Sequence, residues 1–127
     1  MEDLLYILKE NNLRFIDHAN EAMIFGQANT ALAAFAIDDA IATNVGNHLT
    51  APTIRFWVHP NTVVLGIPDG RLPYLRDGLH FLQENNYHAV IRNSGGLAVL
   101  LNAGVLNVSL IIPNDEQVSI HNGYHMM

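Results

Sequence analysis

The chain has 127 residues, no cysteine and a formal net charge of −6, with six Lys and Arg against twelve Asp and Glu. That length suits one domain rather than two, and a composition half apolar with 14% charged residues is globular, not disordered. Without cysteine there is no disulfide, thiolate metal site or cysteine nucleophile in the chain, and without a basic stripe neither nucleic acid nor an anionic membrane is a natural partner.

The N-terminal stretch "MEDLLYILKENN" starts acidic and lacks a basic region ahead of its apolar residues, so it does not read as a signal peptide. No apolar run reaches the roughly 18 residues of a spanning helix, and a cytoplasmic location is expected. Residues 3–11 form a short amphipathic helix candidate, with Leu4, Leu5, Ile7 and Leu8 among charges. "LRFID" at 13–17 reads as a short strand. Thr30 is placed to cap a stronger helix over 31–45, which stops at Gly46. Ala34, Ile37, Ile41 and Val45 make one apolar stripe on it, and Asp38 and Asp39 lie off that stripe on a solvated face. Adjacent carboxylates on a helix diverge by about 100°, so the two would not share a proton.

Two β-branched and aromatic runs, 53–58 and 62–65, flank His59-Pro60-Asn61 and read as a hairpin with a three-residue loop. "PDG" at 68–70 is a turn. Leu72, Leu75, Leu79 and Leu82 recur at helical spacing, with Arg71, Arg76, Asp77 and Glu84 off the stripe. "YHAVIR" at 87–92, "LAVLL" at 97–101 and "VLNVSLII" at 105–112 are strands, the last two joined through "NAG" as a second hairpin. "PNDEQ" at 113–117 is loop, and "SIHNGYHMM" holds a helix start without a visible end. Short links between strands favour antiparallel pairing with helices on one face, an α+β fold.

Glycine weakens a strand, so Gly95 and Gly96 ahead of an apolar run call for a reason. A bulge is one. A ligand lying against bare backbone is the other, with the Ser94 hydroxyl and the Arg92 cation beside it. Ser94 is a poor candidate nucleophile, because a strand follows it where the strained elbow of such a serine needs a helix. Trp57 sits mid-strand, packing in the core or walling an apolar pocket. His121 and His125 have metal-like helical spacing, but Gly123 separates them and no third ligand accompanies them, so they read as a solvated tail. His18, His48, His59, His80 and His88 are scattered and carry no metal reading.

Taken together and in order, "RFWVHPNTVVLG", "RNSGGLAVLLNAGVLNVSL" and the Asn107-x-Ser109 pair resemble the lipoate–protein ligase and octanoyltransferase superfamily. The resemblance covers roughly residues 30 to 125. Leu97 stands where the ATP-using ligases of that superfamily carry a third glycine, and Leu101-Asn102 where they carry a His-Asp pair. "VLGIPDGRLPYL" and "IRNSGGLAVLLNAGVLN" are instead similar to the octanoyl amidotransferases. That branch implies a biotin/lipoate ligase-like catalytic domain, with a mostly antiparallel sheet and helices on one face. It implies transfer of an octanoyl group from the glycine-cleavage H protein to lipoyl domains of dehydrogenase E2 subunits. No ATP, metal or other cofactor is implied, since the acyl group is carried covalently as substrate.

Residue by residue, the resemblance assigns Arg92, Ser94, Gly95, Gly96, Leu97 and Ala98 to holding the acyl carbonyl and the start of its chain. It assigns Trp57 and Gly66 to the border of the pocket and Asn107 to support of the glycine turn. The acyl tail would lie among Val64, Leu65, Val99 and Leu106, where about 0.8 kcal/mol per buried CH₂ suffices for recognition without charge. The amidotransferases also use a cysteine and a lysine, which follow the Asn-x-Ser strand by some tens of residues. This chain has no cysteine, its only lysine is Lys9, and it ends at Met127. The expectation is therefore a truncated N-terminal half: a leader over 1–33, a half-domain over 34–127 and no catalytic residue within it. The alternatives are a fragment of an ATP-dependent ligase and a complete, non-catalytic acyl or lipoyl-domain binding module. A long uncharged strand at 105–112 further implies marginal stability and self-association.

Overall fold

The structure, a computed structural model, describes residues 12–20 and 30–114. The helix expected over 3–11, the His121 and His125 pair and most of the C-terminal loop lie outside the described residues.

The elements in chain order are β1 (Arg14–His18), α1 (Thr30–Gly46), β2 (Thr53–Trp57), β3 (Thr62–Leu65), a 3-10 turn (Ile67–Arg71), α2 (Leu75–Glu84), β4 (His88–Ile91), β5 (Val99–Leu101) and β6 (Asn107–Ile111). They form two three-stranded sheets, ordered β1-β2-β6 and β4-β3-β5. Both sheets are built alike. β1 runs parallel to β2 across α1, and β3 runs parallel to β4 across α2, because a parallel pair needs a crossover of this length. An antiparallel strand, β6 or β5, closes the other side of each central strand. The α+β class stands. The pairing is more mixed than the expected mostly antiparallel sheet, since two of the four ladders are parallel.

Neither expected hairpin forms. β2 and β3 follow each other closely, but each is the central strand of its own sheet, with both edges taken by other strands. The link between them turns the chain from one sheet to the other. His59 is buried there, its Nδ1 within 2.8 Å of the Pro60 carbonyl and 3.2 Å of Thr62 Oγ1. β5 and β6 part in the same way, β5 to β3 and β6 to β2. The Asn102 side chain accepts from the Gly104 amide at 2.8 Å and fixes the turn between them. Leu97 and Ala98 lie in the loop, ahead of the strand expected to include them. β1, expected in a leader, is the outer strand beside β2.

The helices follow their stripes, with different outcomes. On α1, Ala34, Ile41 and Val45 are buried. On α2, none of the ten residues is buried, and Leu72 lies just before the helix. The core gathers Ala34, Trp57, Val64 and Leu101, with Phe35, Val90 and Val105 packed against it. It therefore joins α1 to strands of both sheets, and it holds the end of β3 that leads into the glycines.

Candidate functional site

The residues from Arg92 to Leu97 form a loop folded back on the end of β3. The Arg92 amide donates to the Leu65 carbonyl at 2.9 Å, and the Ile67 amide donates to the Ser94 carbonyl at 3.3 Å. The Arg92 guanidinium closes the loop from within. Its Nε and Nη2 donate to the Gly95 carbonyl at 3.1 and 2.9 Å, and Nη2 donates to the Leu97 carbonyl at 3.0 Å. Arg92 is thus the clasp of the loop, where the sequence suggested a cation open to a ligand.

Each glycine has a separate reason. Gly96 has φ +96°, the left-handed region, and a Cβ on it would stand 2.5 Å from Arg92 Nη2. Gly66 is buried, and a Cβ there would run into the Gly96 carbonyl, so this backbone contact requires its bareness. Its amide donates to the buried Asp69 side chain at 2.9 Å, which fixes the entry to the 3-10 turn. Gly95 is constrained by neither. Nothing lies within 4 Å of where its Cβ would be, so its backbone faces open space.

A second constellation escaped the reading of the sequence. Arg55, 1% exposed on β2, pairs through Nη1 with Asp38 Oδ1 at 2.7 Å and also donates to the Ala34 carbonyl at 2.9 Å. Arg55 Nε donates to His18 Nδ1 at 3.0 Å. Ser109 Oγ donates to Asp38 Oδ2 at 2.6 Å and accepts from Trp57 Nε1 at 2.9 Å. The guanidinium also lies 5.2 Å from the Trp57 ring centre. One relay thus ties β1, α1, β2 and β6 together, and Asp38 is its hub rather than part of a solvated face. The legible signal was parity: Thr53, Arg55 and Trp57 share one face of β2, so an inward Trp57 carries Arg55 inward, and a buried cation demands a carboxylate.

A cavity of about 420 Å³ opens between α1 and the start of the glycine loop, lined by Leu32, Phe35, Asp38, Asp39, Arg92 and Ser94 among others. Of the expected site residues, Arg92 and Ser94 line this cavity. Gly66, Gly95, Gly96 and Leu97 are joined to Arg92 or to each other at the loop, with Ala98 next in the chain. Trp57 does not line the cavity. Trp57 is buried, with its ring edge-on to Phe35 at 5.7 Å, and so supports the cavity wall from behind. Asn107 is the ladder partner of Trp57, and its Nδ2 donates to the Trp57 carbonyl at 3.2 Å rather than to the glycine loop. Val64, Leu65, Val99 and Leu106 are not gathered into one pocket: the first two are buried and the last two exposed. Among the described residues, no three His, Asp or Glu side chains are grouped to hold a metal ion.

Two mixed sheets with a glycine loop clasped over a central strand place the chain in the fold class of the lipoate–protein ligase catalytic domains. A bi-partite lipoate protein ligase of Thermoplasma acidophilum, from a structural analysis with its E2 lipoyl domain, superposes with a TM-score of 0.63 at 21% identity, over 92% of this chain and 41% of that one. A lipoate-protein ligase A bound with ATP gives 0.63 at 20% identity, over 91% of this chain and 41% of that one. The chain belongs to the lipoyl protein ligase A/B catalytic domain family, which it matches over residues 30–127. It is 50% identical over 127 residues to an octanoyl-[GcvH]:protein N-octanoyltransferase of Oceanobacillus iheyensis, all of this chain and 46% of that protein. It is 43% identical over 122 residues to a lipoyl-[GcvH]:protein N-lipoyltransferase of Listeria monocytogenes, 95% of this chain and 42% of that protein. The chain spans less than half the length of these curated relatives.

Proposed function

We propose that the chain is the acyl-binding part of an octanoyltransferase that moves octanoyl from the glycine-cleavage H protein to lipoyl domains of dehydrogenase E2 subunits. The observation that carries this reading is the 50% identity to an octanoyltransferase along the whole chain. The geometry agrees with it. Bare backbone at Gly95, in the loop whose first residues Arg92 to Ser94 line a cavity of about 420 Å³ with Leu32, Phe35 and Ile91, supports an acyl group held by amides and partly apolar walls. Arg92, spent on the loop carbonyls, sets the loop's shape rather than the charge of the ligand. The sequence has no cysteine, so a cysteine acyl carrier of the kind the amidotransferases use is not among its residues. We place the reaction in the cytoplasm and without ATP or another cofactor.

A chimera tests this reading. The chain replaces the matching part of the Oceanobacillus enzyme, and transfer from octanoylated H protein to an apo lipoyl domain is measured. Transfer without ATP is the expected result. Activity that requires ATP and free lipoate would overturn it in favour of a ligase. Acyl or lipoyl-domain binding without any transfer would favour a binding module. The Listeria relative makes lipoyl the second choice of acyl group, and competing octanoyl and lipoyl donors in the same assay decide between them.

A further inference from the structure

Of the Asn107-x-Ser109 pair, Asn107 holds the Trp57 carbonyl, and Ser109 has a task of another kind. Ser109 stands directly across the β2–β6 ladder from Arg55. A hydroxyl has one proton to give and two lone pairs, and here the proton and one lone pair are committed. Ser109 Oγ donates to Asp38 Oδ2 at 2.6 Å and accepts from Trp57 Nε1 at 2.9 Å. The other Asp38 oxygen accepts from Arg55 Nη1 at 2.7 Å, so the carboxylate is held from both sides. Both residues that Ser109 holds lead to the cavity of about 420 Å³. Asp38 lines it directly. Trp57 meets Phe35 edge-on at 5.7 Å, and Phe35 lines it too. Phe35 and Asp38 are three residues apart on α1, neighbours on one side of the helix. Ser109 itself is not in the wall.

Among the described residues the cavity has two walls, and each is fastened separately. One is α1, through Leu32, Phe35, Asp38 and Asp39 among others, and the other is the chain from Ile91 to Ser94. The second wall is held by the Arg92 clasp and by the bond from the Ile67 amide to the Ser94 carbonyl. The first is pinned to β2 and β6 by Arg55 and Ser109. The distance between the walls decides how closely an apolar chain packs, since a radial gap of about 0.5–1 Å forfeits a quarter to a half of each dispersion contact. We propose that Ser109 is a positioning residue of the acyl site. Its hydroxyl locks Asp38 and Trp57, and through Trp57 also Phe35, at the distance from the glycine loop that fits the acyl chain and selects its length. This inference rests on the acyl-binding reading above.

The test is an NMR titration of the isotopically labelled full chain with butanoyl-, octanoyl- and dodecanoyl-lysine amides, with urea unfolding of each variant to give its folded fraction. The parent should favour the octanoyl amide. Ser109→Thr keeps the hydroxyl and should keep both affinity and preference. Ser109→Ala should weaken the octanoyl amide by about tenfold after correction for folded fraction, the loss expected for a hydrogen bond to a charged group. Its preference among the three amides should shrink as well. The indole N–H signal of Trp57, the chain's only tryptophan, should keep its place in Ser109→Thr and move in Ser109→Ala. Trp57→Phe keeps an aromatic ring and drops the Nε1 donor, and it carries the same expectation for affinity and preference if Ser109→Ala does not fold. Parent-like affinity and preference in Ser109→Ala, or a loss equal for all three amides, overturns the positioning role and leaves the acyl-binding reading in place. So does a parent that binds all three alike, and so does failure of both variants to fold, since the hydroxyl then serves the fold as a whole. A parent that binds none of the three overturns the acyl-binding reading and, with it, this inference.

Discussion

At single residues, the three glycines near the site differ in what they tolerate, and the differences are measurable. Gly95→Ala adds a methyl to open space, so its stability should stay within about 0.5 kcal/mol of the parent. Gly96→Ala forces a side chain into the left-handed region against the Arg92 guanidinium, a loss of about 1–2 kcal/mol. Gly66→Ala should cost more than either, because the obstacle is backbone rather than a flexible side chain. Urea unfolding of the three variants gives the order, and an equal response from all three would contradict the loop geometry. The relay invites a second test. Asp38→Ala removes the carboxylate facing a buried guanidinium, and a loss of about 3 kcal/mol is expected for a broken buried pair. Adding Arg55→Met should recover part of that loss, since the uncompensated charge goes with it. If the double variant is no more stable than Asp38→Ala alone, the pair is not what holds α1 to its sheet.

At the level of elements, burial separates two leucines that look alike in the sequence. Leu101 on β5 is 3% exposed and belongs to the core, so Leu101→Ala should cost about 3 kcal/mol. Leu79 on α2 is 36% exposed, and Leu79→Ala should cost less than about 1 kcal/mol. Thermal unfolding of the pair checks the contrast. The same contrast shows what the sequence could say about the fold. Local periodicity placed the strands and both helices within a few residues, because hydrophobic spacing depends on neighbours a few positions away. It could not say which strands pair. His59-Pro60-Asn61 and Asn102-Ala103-Gly104 have the residues of hairpin loops, but the first joins two central strands whose edges are taken by other strands, and the second joins outer strands of different sheets. At the site, the cluster from Arg92 to Leu97 was legible because consecutive residues carry it. The clasp made by Arg92 and the meeting of Gly66 with Gly96 were not, since both depend on how the loop folds back on β3. The relay was half legible: strand parity marked Arg55 as inward, but only the tertiary fold brings Asp38, 17 residues earlier, and Ser109 to it.

For the whole molecule, the balance of apolar surface governs behaviour in solution. Seven hydrophobic residues are buried among the described ones, while fourteen large hydrophobics are exposed, so many large apolar side chains remain in water. The exposed set includes Leu106, just before β6, and Val108 within it. Among the described residues, β6 pairs only with β2, so its other side is an edge with few charges. An open, uncharged edge of this kind is a template for pairing with another strand. A net charge of −6 opposes association but does not remove the edge. The chain should therefore be marginally stable and self-associate at micromolar concentration. Val108→Lys should reduce that association, because a charge on an edge strand blocks a second strand from docking. Sedimentation decides it: the weight-average mass should rise with concentration for the parent chain and fall towards the monomer value for Val108→Lys. A monomeric parent with a cooperative thermal transition would mean that the exposed surface is stable in water, and the binding-module reading would then gain over the transferase one.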